Sequence, residues 1–213
     1  MLTLGFFFLL RPGEYAFTPN PDAAPFRLCD VHLIFYNRRL NPLTCTEQQL
    51  DSTHYVKLEF TTQKNGVRGE IVGLGRSGHP TFCPVLTLVQ RVKHLRLHSA
   101  PMTTPLYAFY TNTSWHMITT PILTQHLRWA AAALENVTGV TPQDISIRSL
   151  RSSGAMALLC AQVDTDRIRL LGRWRSDEMM RYLHVQAFPI AAPLAPLIVR
   201  HGQFTLIPNI TLG

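Results

Sequence analysis

No pair of cysteines in this chain stands at the spacing of a redox centre or a zinc ribbon. Cys29, Cys45, Cys83 and Cys160 are scattered, which argues against a metal site and a disulfide framework and reads as reduced thiols of an intracellular protein. Long hydrophobic runs are missing too. The opening MLTLGFFFLL stops at Arg11, too short to span a bilayer. It also lacks the basic leader and small-residue cleavage site of a signal peptide, so it predicts a buried helix that runs into Arg11. Internal repeats and low-complexity tracts are absent. No aromatic-rich RNA motif or basic amphipathic helix supports an RNA-binding or membrane-surface protein. Asn112, Asn136 and Asn209 open formal glycosylation triplets, which read as chance matches without a secretory signal.

Charged residues make up only 15% of the 213 positions and hydrophobic residues 46%. That balance describes one domain large enough to bury a full core, not a disordered tail. The charge is lopsided: 20 lysines and arginines against 13 acids leave +7, with a pI near 9.6. Such a balance favours polyanionic partners, but it sets non-specific affinity and not chemistry.

The pattern along the chain predicts an α+β domain of helices around a small antiparallel sheet. Residues 28–36 read as a strand. Residues 54–63 and 67–74 flank Lys64-Asn65-Gly66, and Asn-Gly between alternating runs signals a hairpin. Residues 83–98 carry helical spacing, and 101–118 read as loop. Thr120-Pro121 opens a helix closed by Gly139, and further helices are expected over 149–162, 165–174 and 176–186. The remainder is rich in proline and alanine, with one apolar segment, FTLIPNITL.

Four separated blocks hold residues suited to phosphoryl transfer. They are Arg11 and Glu14 in LLRPGEY, Lys64 in FTTQKNGVRGEI, Arg148 and Arg151 in ISIRSLRSSGAMAL, and Tyr182 in LGRWRSDEMMRYLHV. Breaking a phosphodiester needs a nucleophile, a proton for the leaving oxygen, and cations on the non-bridging oxygens. A guanidinium supplies the last because its planar fork meets two phosphate oxygens at once. Arg11 and Arg151 are expected to form that clamp, with Glu14 orienting Arg11. Arg148 and Arg151, three residues apart, are expected to share a face where an apolar helix begins and to meet an anion there. Each residue has a plainer reading: Arg11 as a solvated helix-end charge, Glu14 as a surface acid, Tyr182 as an amphipathic-face tyrosine. Lys64 at a hairpin tip reads first as a solubilising turn residue; a lysine there could also protonate a leaving alkoxide.

The order R-x-x-E, hairpin lysine, (H/K/R)-x-x-R before a small-residue helix, LGxW, then Tyr-x-His resembles the catalytic domain of tyrosine recombinases (the phage integrase family). The resemblance covers roughly residues 4 to 186 and is nearest the DIRS-type and Crypton-like mobile-element branch. It implies a mainly helical recombinase fold over 1–186 and a tail, 187–213, that packs on a neighbouring protomer. It implies Arg11 and Arg151 as phosphate clamp, Glu14 as acidic support, Lys64 as general acid and Tyr182 as nucleophile, forming a 3′-phosphotyrosyl link. His184 falls where members carry Tyr-x-His. The implied partner is double-stranded DNA, bound by a dimer or tetramer, in the nucleus if the chain is eukaryotic. No metal or nucleotide cofactor is implied, because the protein–DNA link stores the bond energy.

Three departures accompany the resemblance. Arg148 stands where a histidine is usual; it can bind phosphate but cannot shuttle a proton near neutral pH. Arg173 stands at the later His/Trp position with Trp174 beside it, which leaves open which of the two serves the phosphate. The family's N-terminal DNA-clamping domain has no counterpart here, so a truncated gene product, a fragment or a domesticated catalytic half is expected. The alternative to a working DNA strand transferase is a weak or inactive DNA-binding remnant of one.

Overall fold

Alternation along Tyr55–Phe60 decides the centre of the molecule. Val56, Leu58 and Phe60 face one way and are almost fully buried, as a period-two strand over a core requires. A computed structural model describes residues 1–20, 23–61, 69–175, 179–180, 192 and 194–201. In it this strand, β3, is central to a four-stranded antiparallel sheet. The other strands are β1 (Val31–Phe35), β2 (Arg38–Leu40) and β4 (Glu70–Gly75), in the order β2-β1-β3-β4. The register sets Leu33 against Val56 and Val31 against Leu58, so apolar side chains of neighbouring strands share the core face. The turn holding Lys64 lies outside the described residues.

Eight helices are described: α1 (Leu2–Phe7), α2 (Pro12–Tyr15), α3 (Glu47–Asp51), α4 (Pro84–Leu97), α5 (Thr120–Thr138), α6 (Ser149–Cys160), α7 (Thr165–Gly172) and α8 (Leu194–His201). The chain is thus a mixed fold of helices with a small antiparallel sheet, as expected. Helix α4 lays Val85, Leu88, Val89, Val92 and Leu95 on the sheet, the stripe that its spacing predicts. The opening apolar segment makes only the short helix α1. Its Leu4, with Phe8 and Leu10 beyond its end, joins the same core, and α1 packs against both α4 and α6. No helix among the described residues is long and apolar enough to cross a membrane.

Several expectations need revision. Residues 28–36 are not one strand: Leu28–Asp30 form a 3-10 turn, capped where the Arg27 amide donates to Asp30 Oδ2 at 2.8 Å. The stretch 101–118 is not loop throughout, since β5 (Ala108–Thr111) and β6 (Ser114–Met117) pair antiparallel. Helix α7 ends at Gly172, and Arg173 just beyond it, not the glycine, takes the left-handed region (φ 57°). Gly172 is needed for closeness instead, because a Cβ there would overlap the Trp174 ring. The tail includes helix α8. The helix expected over 176–186, except residues 179–180, and the FTLIPNITL segment lie outside the described residues.

Helix α6 approaches α1 at a glycine. A Cβ on Gly154 would overlap the Phe6 carbonyl oxygen and the Leu9 side chain. Alanine elsewhere in a helix gains up to about 1 kcal/mol over glycine. Here the obstacle is backbone, and overpacking of that kind costs about 1–3 kcal/mol. Gly154→Ala is therefore expected to lower the urea midpoint. An unchanged or raised midpoint would show that α1 and α6 are not this close.

Candidate functional site

Arg11 ends the coil after α1 and caps α2. Its backbone N–H donates to Glu14 Oε2 at 2.7 Å, and its Nη1 lies 3.4 Å from Glu14 Oε1. Proline at the first position of α2 fits this cap, since no donor is lost there. Glu14 is buried, and its Oε2 also accepts from Arg173 Nη2 at 2.9 Å. One carboxylate thus joins two guanidinium groups of unequal exposure. The Arg11 side chain keeps about a third of its surface open, whereas that of Arg173 keeps 1%.

Arg173 is enclosed on every side. Its Nη1 reaches the carbonyls of Phe8 and Leu171 at 3.3 and 3.4 Å, and its guanidinium lies 3.8 Å from the Phe60 ring centroid. Its Nε has no hydrogen-bond partner among the described residues. Burial lowers its pKa below the usual arginine value, and the Glu14 carboxylate opposes that shift. The left-handed backbone at Arg173 is uncommon for a side chain with a Cβ; the ion pair with Glu14 helps to hold it.

Tyr15, next to Glu14, ties this corner to the far end of the sequence. Its buried hydroxyl donates to the Ile147 carbonyl at 2.9 Å, and burial raises its pKa, so the donor stays protonated. The Ile147 amide in turn donates to Thr124 Oγ1 at 3.4 Å, on α5. A second tie joins the exit of α2 to the start of α5, through Phe17 N–H to the Ile118 carbonyl and Thr120 N–H to the Phe17 carbonyl. These bonds bring Arg148, the N-cap of α6, into the same cleft as Arg11.

The cleft has a volume of about 730 Å³. Its floor carries Arg11, Gly13 and Glu14. One wall is the face of α5 formed by Pro121, Thr124, Gln125, Arg128 and Trp129, and Ile147 with Arg148 closes it. Positions 121, 124, 125, 128 and 129 follow the three-and-four spacing of a helix face. Arg128 is anchored by Nε to the Ile145 carbonyl at 3.0 Å and by Nη2 to the Gln143 carbonyl at 3.2 Å. Among the described residues, three arginines therefore line the cleft against one carboxylate, Glu14, which is already shared by Arg11 and Arg173. The N-terminal turn of α5 adds the positive end of a 19-residue helix.

Arg151 is placed elsewhere, contrary to the expected clamp. Its Nη1 donates to the Leu9 carbonyl at 2.8 Å, its Nη2 donates to the Gly172 carbonyl, and its guanidinium stacks 4.2 Å from the Trp174 ring centroid. It is buried and joins α6 to the ends of α1 and α7, outside the lining of the cleft. The face expected to be shared by Arg148 and Arg151 is divided: Arg148 is exposed in the cleft, and Arg151 points into the packing. Arg173 and Trp174 are both buried, one on Glu14 and the other on Arg151. Lys64, Tyr182 and His184 lie outside the described residues.

Family models, curated proteins and solved structures offer no match to this chain. Among the described residues no three His, Cys, Asp or Glu side chains gather as a metal site would require. Arg128 and Trp129 were not anticipated from sequence, although the polar and aromatic stripe at helical spacing in PILTQHLRW was there to be read. Anions are what this cleft can hold.

Proposed function

We propose that this chain is a DNA-binding protein of the tyrosine recombinase kind, with the cleft between α2, α5 and the start of α6 receiving the phosphodiester backbone. The observation that carries the reading is the convergence of Arg11 and Arg148, from distant blocks of the sequence motif, on one cationic cleft. In the reaction proposed, the Tyr182 phenol gives up its proton to water as its oxygen attacks phosphorus, and the bond to the 5′-oxygen breaks. Lys64 protonates that oxygen, and a 3′-phosphotyrosyl link remains. Attack by a 5′-hydroxyl reverses each step, so no external energy source is needed. Arg11 and Arg148 hold the non-bridging oxygens, with Arg148 taking the place first expected of Arg151.

A second reading, a non-catalytic DNA-binding remnant, is favoured by one observation. Arg151 has both terminal nitrogens on backbone carbonyls and its face on Trp174, the role of a structural arginine. The two readings share a prediction about binding. Affinity for duplex DNA is expected to fall with salt, at a slope of about −0.9 per phosphate contact, and Arg11→Ala and Arg148→Ala should each reduce that slope by about one. A flat salt dependence would remove DNA as the partner. Unaltered slopes in both variants would remove the cleft as its site. Strand cleavage by the wild type, lost in Arg148→Ala, separates the enzyme from the remnant.

A further inference from the structure

An exposed tryptophan is the least expected member of the cleft. Trp129 is 58% exposed, yet it stands on the same face of α5 as Arg128 and Gln125 and lines the same cavity as Arg11 and Arg148. His126, three residues earlier and also exposed, meets its ring at a steep angle, with centroids 5.1 Å apart at 84°. An indole that stays open to water beside cationic side chains has the two halves of a nucleotide site. The ring offers a stacking face, and the guanidinium groups offer contacts for a phosphate.

Paired bases inside a duplex already stack on one another and leave no face for a protein ring. Stacking on a side chain therefore requires a base that is unpaired or turned out of the helix. We propose that the cleft receives an unpaired nucleotide, its base stacked on Trp129 and its phosphate held by Arg11 and Arg148. The proposal rests on the reading of the cleft as a DNA site and narrows its substrate to DNA with a locally opened strand. Gln125, one turn before Trp129 on the same wall, supplies an amide within the cavity for the base edge. The rest of α5 exposes Leu134 and Val137 well beyond the cleft, so a protein partner on this helix is the competing occupant.

The test compares three labelled DNA probes by fluorescence anisotropy: a fully paired duplex, the same duplex with a one-nucleotide bulge, and a single strand. The wild type is expected to bind the bulged duplex and the single strand more tightly, at equal length, than the paired duplex. Trp129→Ala should lose about tenfold on the two unpaired probes and almost nothing on the paired one. Trp129→Phe should keep most of the preference, because a smaller ring still stacks. Equal affinity of the wild type for all probes overturns the proposal and leaves the duplex-binding reading standing. A uniform loss in Trp129→Ala overturns it too, as does a change in sedimentation with the preference intact, which would assign the ring to a protein interface. Trp129-dependent binding of single strands with no binding of the paired duplex would support the stacking site and remove the recombinase reading.

Discussion

Glu14→Ala is expected to destabilise the fold by about 3–5 kcal/mol, the usual cost of removing one partner from a buried ion pair. The side chains of Glu14 and Arg173 are 7% and 1% exposed, so solvent cannot replace the lost carboxylate. Among the described residues, Arg173 would be left with two long bonds to carbonyls, the Phe60 ring and an Nε without a partner. Water reaches such a guanidinium only if α7 moves away from the segment after α1. Glu14→Gln keeps an acceptor and should cost less. A Glu14→Ala, Arg173→Met double variant should recover part of the loss, since a buried pair replaced by apolar groups is often tolerated. Urea titration measures all three. A cost below about 1 kcal/mol for Glu14→Ala would mean that the pair does not organise this corner.

The effect should extend to the cleft. Glu14 fixes Arg11 by its backbone and its guanidinium together, so Glu14→Gln, if folded, should weaken DNA binding in the same sense as Arg11→Ala. One side chain thus connects folding to the proposed function: its carboxylate is a structural counter-ion on one side and a support for an open arginine on the other.

The fold was legible where local chemistry is unambiguous. The Val85-Leu88-Val89-Val92-Leu95 stripe of α4, the Gly139 end of α5 and the strands on either side of Asn65-Gly66 all follow from spacing and turn residues. Two hairpins escaped notice for one shared reason. Tyr36-Asn37 and Asn112-Thr113 are two-residue turns with positive φ at both positions, the conformation that Asn-Gly usually announces. Without glycine, nothing local marks them, and cross-strand pairing must hold them in place.

The site was legible as a set of residue types but not as an arrangement. Spacing placed Arg148 and Arg151 on one helical face, and spacing cannot say how deep each residue lies. Depth is decided by what α6 packs against, namely the Leu9 and Gly172 carbonyls and the Trp174 ring, from regions far away in sequence. The same limit hid Trp129, whose meaning depends on Arg11 arriving from the other end of the chain.

Covalent capture tests the central claim most directly. Tyr182→Phe removes one oxygen, and that oxygen is the proposed nucleophile, so the expected loss is complete. A duplex nicked near the cleavage point releases a short fragment when cut and blocks resealing, so a phosphotyrosyl enzyme would accumulate. The wild-type chain is predicted to give a slower protein–DNA band on a denaturing gel, absent in Tyr182→Phe. Duplex affinity should be equal in the two proteins. A band that persists in Tyr182→Phe, or no band from wild-type protein that binds the duplex, would contradict the account.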